Sequence, residues 1–179
     1  MGATSSVAFA VDRLKLAIVS CGFLGLSPVM PGTVGTLGGV LFAYLMRGAE
    51  PFWAWCLGLA LVIYLVSRTL GEWAEQYGGQ KDPGFFVQDE VVGYLITVAW
   101  IGQPTLLSLA AAFFAFRLFD IWKPKPCQWL ERVGKTESSR FRPGDGILLD
   151  DVMAGIYGFA VMALLRAYVL EPTAWVVAA

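Results

Sequence analysis

Acidic side chains are concentrated at a few points of the chain, each beside a long apolar segment. Two adjacent pairs stand out, Asp89-Glu90 and Asp150-Asp151, and each directly precedes an apolar run. A helix N-terminus favours negative charge, so capping is the simplest explanation for an acid at such a point. Two adjacent acids repel each other unless a cation lies between them. This repulsion favours a binding role over capping alone.

Six of the fourteen acidic residues are predicted to lie at helix ends on one side of the molecule: Asp82, Asp89, Glu90, Asp120, Asp150 and Asp151. Carboxylates without His or Cys ligands suit a hard cation, Mg²⁺ or Mn²⁺. The chain contains no histidine, which excludes His general bases, His-Cys zinc sites and Ser-His-Asp triads. The acids therefore predict a site for a hard cation.

Basic residues lie close to these acids in the sequence. Arg117 and Asp120 are three residues apart and share a helical face, Lys123 follows about one turn later, and Lys81 directly precedes Asp82. Cations that converge beside a metal site suit a phosphoryl group, whose transition state carries negative charge. The alternatives are membrane anchoring for Arg117 and Lys123, and a solvated loop charge for Lys81.

The simplest mechanism for such a set is direct attack by a metal-activated water, with a carboxylate as the base. A covalent aspartyl-phosphate, with Asp82 or Asp89 as nucleophile, is the second mechanism. These spacings alone predict a metal-dependent membrane enzyme that acts on an anionic substrate, and they do not identify that substrate.

Composition places the chain among membrane proteins. Of its 179 residues, 57% are hydrophobic and only 15% are charged, whereas soluble domains carry about 25% charge. Mean hydropathy is +0.63 and the pI is about 5.4, so nothing indicates a nucleic-acid partner. The three cysteines, Cys21, Cys56 and Cys127, are far apart and are expected to be free thiols.

The apolar segments predict an all-α fold. A helix is expected from about residue 33 to residue 46, with Gly35 and Gly39 four apart to allow close helix approach. A second helix covers about 51–67 and ends near Gly71. Residues 91–116 contain no charge but are interrupted at Gly102-Gln103-Pro104. The piece before this break is about 18 Å long, too short to cross a hydrocarbon core of about 30 Å.

The resulting prediction is a polytopic helical membrane protein with about four membrane helices plus a short or re-entrant helix. It forms a single domain, 1–179, with residues 1–15 as a flexible lead. The last helix is expected to begin at Asp150. Seven of the thirteen basic residues fall within 117–142, so this stretch, and with it the acids, is expected to face the cytoplasm.

Several segments, in this order, resemble the phosphatidylglycerophosphatase A family: GLSPVMPGTVGTL at 25–37, KDPGF at 81–85, DEVVGY at 89–94, FRLFDIWKP at 116–124 and DDVMAGIY at 150–157. Each motif alone is weak, but five in the same order and spacing are specific. The resemblance extends from about residue 20 to residue 170. Met30 departs mildly, because a small residue is expected at its position. Residues 131–149 carry no shared motif and are assigned no role.

The resemblance implies a Mg²⁺-dependent phosphatase of the bacterial inner membrane that converts phosphatidylglycerophosphate to phosphatidylglycerol and phosphate, with its active site facing the cytoplasm. It also implies metal ligands and catalytic groups. The metal ligands are Asp89, Glu90, Asp120, Asp150 and Asp151. The catalytic residues are Asp82, Asp89, Asp120, Lys81, Arg117 and Lys123. Individual roles within this set are our inference.

Two other functions are compatible with the pattern. A non-enzymatic, cation-binding component of a membrane transporter would also use carboxylates, but transporters place such charges near the middle of the bilayer. A structural membrane protein would use the acids only as caps. The predicted position of the acids at helix ends favours the enzyme.

Overall fold

The computed structural model describes residues 2–100, 104–135 and 143–168, and within these ranges every long element is a helix. The helices are α1 (Gly2–Val19), α2 (Pro31–Met46), α3 (Phe52–Gly78), α4 (Gln88–Val98), α5 (Leu106–Trp122), α6 (Cys127–Lys135) and α7 (Pro143–Tyr168), with a 3₁₀ turn at Leu24–Leu26. The all-α prediction is confirmed for this part of the chain.

The centre of the bundle is the shortest of the apolar helices, α4. Nine of its eleven residues are buried, and it contacts α2, α3, α5 and α7. A helix that is enclosed on all sides must be apolar around its circumference. The exception is its first turn, where Asp89 and Glu90 point toward one end of the bundle. The prediction that this acidic pair opens an apolar helix is confirmed.

Small residues let α4 approach its neighbours closely. A Cβ on Gly93 would lie 2.7 Å from the Asp151 carbonyl oxygen of α7, and one on Gly155 would meet the Gly93 backbone. Thr97 Oγ1 donates across this contact to the Gly155 carbonyl oxygen at 3.2 Å. The α4 and α7 backbones are therefore in direct contact, as small residues permit in apolar surroundings.

The glycine contact that the sequence predicts lies on α2. Gly35 and Gly39 are both buried, and an added Cβ would meet Val87 at the first position and Tyr94 at the second. The predicted close approach is confirmed, and the partner is the start and middle of α4.

Local sequence explains most helix ends. Pro31 occupies the first position of α2, where a missing N–H costs nothing. Gly79, with φ +67°, ends α3 in the left-handed conformation. Thr105 caps α5 by accepting a hydrogen bond from the Ser108 N–H at 3.1 Å. The predicted break at Gly102-Gln103 lies outside the described residues, while the end of α4 and the start of α5 on either side agree with it.

Two predicted boundaries were wrong, and the N-terminal residues are helical. Residues 2–15, predicted to be a flexible lead, are the greater part of α1, which packs on α3 through a hydrogen bond from Trp73 Nε1 to Asp12 Oδ1 at 3.0 Å. The second predicted helix continues past Gly71 to Gly78, because its last turns are amphipathic and keep packing. The last helix begins at Pro143 rather than Asp150.

Two helices are long and apolar enough to cross a membrane, Phe52–Gly78 and Gly144–Arg166, by length and composition alone. Helix α2, with 16 residues, and α5, with 17, are about 24–26 Å long, short of the roughly 30 Å hydrocarbon core. Within the described residues, the prediction of about four membrane helices is therefore not confirmed, and two candidate spans are supported.

A substitution of Gly93 by Ala is expected to destabilise the bundle. The added Cβ has no room between α4, α5 and α7, and overpacking of this kind costs about 1–3 kcal/mol. The matched control is Gly58→Ala on α3, where an added Cβ meets nothing within 4 Å. That variant should gain a few tenths of a kcal/mol from helix propensity. Thermal unfolding in detergent measures both, and equal midpoints for the two variants would contradict the close contact.

Candidate active site

A polar cavity of about 190 Å³ lies at one end of the bundle, where α2 and α4 begin, α5 ends and the loop between α3 and α4 crosses. The residues around it come from four separate stretches of the chain: Pro31, Gly32, Asp82, Gly84, Phe86, Asp89, Glu90, Asp120, Lys123, Asp150 and Asp151. The structure thus brings together all six acids that the sequence singled out. Their chemical roles stay predictions.

Asp89 and Glu90 reach the cavity from the first turn of α4. The N-cap of this helix is Val87, whose side chain makes no capping bond. Gly32, at the start of α2, faces Glu90 so closely that a Cβ there would collide with the Glu90 carboxylate. The absence of a side chain at position 32 therefore makes room for that carboxylate.

Asp150 and Asp151 enter the cavity differently from the prediction. Helix α7 begins seven residues earlier, at Pro143, so neither acid lies at its N-terminus and neither is an N-cap. Their exposed fractions are 6% and 3%. The acid that does occupy the first turn, Asp145, is paired with Arg68 Nε at 2.9 Å. Capping therefore does not explain this pair, which favours a binding role.

The closest group of acids is formed by Asp89, Glu90 and Asp151, each of which offers an oxygen within 4.8 Å of the other two. Two charges this far apart repel by about 3–4 kcal/mol at an effective dielectric constant near 20. Burial, followed by the charge of the adjacent Glu90, raises the pKa of Asp89 well above its ordinary value. Burial also raises the pKa of Glu90. The site is therefore arranged to receive positive charge.

Two oxygens of this group show where that charge would be received. Asp89 Oδ1 and Glu90 Oε2 are buried, and neither has a hydrogen-bond partner among the described residues. Buried acceptors are normally satisfied, and an exception needs a cause such as an ion. A set of carboxylate oxygens without nitrogen or sulfur ligands matches the preference of a small divalent cation.

Lys123 provides the positive side chain on the cavity. Its Nζ lies 2.8 Å from Asp150 Oδ2 and 3.2 Å from Glu131 Oε1. Burial alone would lower the pKa of Lys123, but the charge and hydrogen bond of Asp150 outweigh it and raise the pKa above its ordinary value. The ammonium therefore stays protonated and is available to an anion.

Arg117 lies at the edge of the site rather than on the cavity wall. It forms an ion pair with Asp120, which confirms that the two share a helical face. Its Nη1 also approaches Thr36 Oγ1 of α2 at 3.5 Å. Arg117 thus holds Asp120 in place and adds positive charge behind it.

Lys81 and Asp82 are adjacent in the sequence but separate in the structure. Asp82 lines the cavity, in a left-handed conformation with φ +51°. The Lys81 side chain is 42% exposed and lies 3.9 Å from Glu75, away from the lining residues. The structure therefore does not bring Lys81 to the cavity.

Sequence reasoning missed three features of the site: Gly32 beside Glu90, Phe86 on the wall, and Glu131 beside Lys123. Residue 131 belongs to a stretch that was assigned no role. Glycine at position 32 had a signal in the sequence, since it directly follows Pro31 just before the predicted helix at about 33–46. The contact of Glu131 joins α6 to the end of α5, and no spacing in the sequence indicates it.

Comparison with known proteins gives one consistent result. The family model for phosphatidylglycerophosphatase A matches residues 17–166. The chain is 33% identical over 165 residues to the phosphatidylglycerophosphatase A of Escherichia coli, covering 86% of this chain and 87% of that protein. It is 32% identical over 150 residues to that of Haemophilus influenzae, covering 82% and 85%.

A third relative has a different name. A protein of Bacteroides thetaiotaomicron, named as a candidate phosphatidylinositol-3-phosphatase, is 33% identical over 156 residues, covering 83% of this chain and 92% of that protein. No solved structure gives a significant match to the fold.

The acidic group should leave a measurable signature in stability. We expect Asp89→Asn to raise the midpoint of thermal unfolding without divalent cations, because it relieves repulsion. It should also abolish most of the stabilisation that Mg²⁺ gives to the wild type, since an ion that binds only the folded state stabilises it.

The matched control is Glu72→Gln on the exposed surface of α3, which lies outside the cavity. Thermal unfolding of the three proteins with and without Mg²⁺ measures both effects. An Asp89→Asn protein that is stabilised by Mg²⁺ as strongly as the wild type would contradict the cation site.

Proposed function

Since this chain belongs to the phosphatidylglycerophosphatase A family, and is thus a phosphoric monoester hydrolase, we propose that it uses Mg²⁺ to hydrolyse phosphatidylglycerophosphate. The products are phosphatidylglycerol and inorganic phosphate. The observation that carries the proposal is the group of three carboxylate oxygens from Asp89, Glu90 and Asp151 within 4.8 Å, in the same cavity as a protonated lysine.

The residues that would hold Mg²⁺ are Asp89, Glu90 and Asp151, with Asp120 and Asp150 on the same cavity as further ligands. Bound Mg²⁺ makes a coordinated water more acidic and neutralises charge on phosphoryl oxygens. The all-oxygen donor set and the two buried oxygens without hydrogen-bond partners support this choice.

The chain's own residues account for the remaining requirements of the reaction. Water would attack the terminal phosphorus, the bond from phosphorus to the glycerol oxygen would break, and that oxygen would take up a proton from solvent. We assign Asp82, which lines the cavity outside the group of three acids, as the base that accepts the proton of water. Lys123 faces the phosphoryl oxygens, and Arg117 positions Asp120. The second mechanism, with Asp82 or Asp89 as nucleophile, uses the same residues.

The location that we propose is the bacterial inner membrane, with the cavity on the cytoplasmic side. Helix α3 ends, and α7 begins, at the end of the bundle that carries the cavity, which supports a position of the cavity at one membrane surface. Helices α2 and α5 would be embedded with them, which gives the multi-pass arrangement of about four membrane helices. The high proportion of basic residues in 117–142 favours the cytoplasmic side.

The transporter alternative is less well supported. The carboxylates lie at one end of the bundle, around the starts of α2 and α4 and the end of α5, whereas a transporter site belongs near the middle of the membrane. The family relationship also favours an enzyme.

The activity is tested by phosphate release from phosphatidylglycerophosphate in detergent micelles, with Mg²⁺ and then with a chelator. We expect the rate to fall by at least roughly a hundredfold on chelation and to return when Mg²⁺ is restored. Phosphatidylinositol 3-phosphate is the comparison substrate, because one relative bears that name. A chelator-insensitive rate would refute the metal mechanism, and a preference for the phosphoinositide would refute the substrate.

The two lysines next to the acidic motifs should differ in importance. Lys123→Met is expected to lower kcat by roughly a hundredfold, because it removes the positive charge on the cavity. Lys81→Met, a change of the same chemistry outside the cavity, should cost less than about tenfold. Steady-state kinetics of the two variants measure which lysine contributes more to kcat. A larger loss of kcat in Lys81→Met than in Lys123→Met would show that the described arrangement is not the one that turns over substrate.

A further inference from the structure

An apolar groove runs along the outside of the bundle between α2 and α5. It has a volume of about 530 Å³, within the range of sites that bind small organic molecules. Its walls include Leu37, Leu41 and Tyr44 from α2 and Leu106, Ala110 and Phe114 from α5. Apart from Tyr44, all its lining side chains are hydrocarbon, so the groove suits an apolar occupant.

The groove exists because a side chain from α4 separates the two helices behind it. Tyr94 is fully buried, and its ring fills the space in front of Gly39 of α2. Its hydroxyl donates to the Leu109 carbonyl oxygen of α5 at 3.0 Å. The buried Tyr94 side chain thus contacts both of the helices that form the walls of the groove.

The groove and the polar cavity share their two walls. Helix α2 contributes Gly32 to the cavity and Leu37 to the groove, and α5 contributes Asp120 to the cavity and Phe113 to the groove. At the level between them, Arg117 Nη1 of α5 approaches Thr36 Oγ1 of α2 at 3.5 Å. The cavity and the apolar groove therefore follow one another along the same pair of helices, with the Arg117–Thr36 contact between them.

We infer that this groove seats one acyl chain of the lipid substrate while the headgroup phosphate occupies the cavity. The inference rests on the proposed function, since a lipid phosphate carries an anionic headgroup next to hydrocarbon chains, and the polar cavity lies next to the apolar groove on the same two helices. The open side of the groove is apolar too, because Leu41 and Phe114 are 53% and 69% exposed. An acyl chain can therefore enter sideways from the bilayer.

The physical role of the groove is orientation rather than affinity. A chain that leaves lipid for the groove exchanges one hydrocarbon environment for another, so the hydrophobic effect contributes little. A seated chain instead fixes the direction from which the headgroup enters the cavity, and small errors in placement of the reacting atoms are costly to the rate. The groove should therefore affect turnover of long-chain lipids more than that of short-chain ones.

A second, smaller groove provides a comparison. It has a volume of about 270 Å³ and includes Leu61 of α3 together with Val92 and Ile96 of α4. These two α4 residues lie on the opposite side of that helix from Tyr94. Filling this groove tests whether any bulky change near the bundle surface is harmful.

The kinetic test uses Ala110→Trp, which places an indole in the α2–α5 groove, and two substrates with the same headgroup. We expect kcat/KM for dioleoyl phosphatidylglycerophosphate to fall roughly tenfold or more, with a change below about twofold for the dihexanoyl lipid. Ala160→Trp, at an exposed position of α7 outside both grooves, is the matched control. Leu61→Trp fills the second groove. Both should hydrolyse the two lipids as the wild type does.

A second measurement, photolabelling of the wild type, does not depend on whether any variant folds. Phosphatidylglycerophosphate with a diazirine in the middle of one acyl chain is photolysed with the protein, and the labelled residues are mapped. We expect label on the groove faces of α2 and α5, and competition by unlabelled substrate. Label spread equally over α7 near Ala160, loss of activity with Leu61→Trp rather than Ala110→Trp, or protein dimers cross-linked through this groove would overturn the inference.

Failure of the proposed function would look different. A wild type that hydrolyses neither the long-chain nor the short-chain lipid refutes the activity, and the labelling experiment still shows whether the groove holds an acyl chain.

Discussion

The contact between α4 and α7 forces together negative charges that would otherwise move apart. At Gly93 and Gly155 the two backbones touch, and this contact carries Asp151 to within 4.8 Å of the acids at the start of α4. Each pair of charges at that distance repels by about 3–4 kcal/mol at an effective dielectric constant near 20. Packing must offset this repulsion, and it does so because α4 is enclosed by four neighbouring helices. The site is thus held by the apolar core below it.

A cation bound as proposed would couple its binding to the stability of the bundle. An ion bound between α4 and α7 would remove the repulsion and add to the free energy of unfolding by mass action. The ion pairs around the cavity act in the same direction, since Lys123 joins the end of α5 to Asp150 of α7 and Glu131 of α6. The polar end of the molecule is therefore a point where ion pairs join three helices, as well as the proposed place of reaction.

How much the sequence predicts depends on whether a feature is local. The start of α4 at its acidic pair, the helix at 31–46 and the facing of Arg117 and Asp120 all follow from short-range patterns, and the structure agrees with them. The start of α7 does not, because 143–146 contain a proline and two glycines that are typical of a loop. There Gly144 serves tertiary packing, because it lies directly on the backbone at Arg68. The role of Glu131 depends on a contact between helices, which no local pattern encodes.

Three turns around the cavity share a feature that links sequence to site geometry. Met30, Asp82 and Lys123 have φ between +45° and +51°, and each is followed by a proline. The residue before a proline avoids the right-handed helical region, and a left-handed conformation costs a residue with a side chain about 1–2 kcal/mol. Strain of this kind persists only where the surrounding structure fixes the chain. The three turns start α2, place Asp82 on the cavity and end α5. Each of these residues, together with the proline after it, therefore sets the direction of the chain where it enters or leaves the site. The packing of the helices offsets the conformational cost of the three left-handed residues.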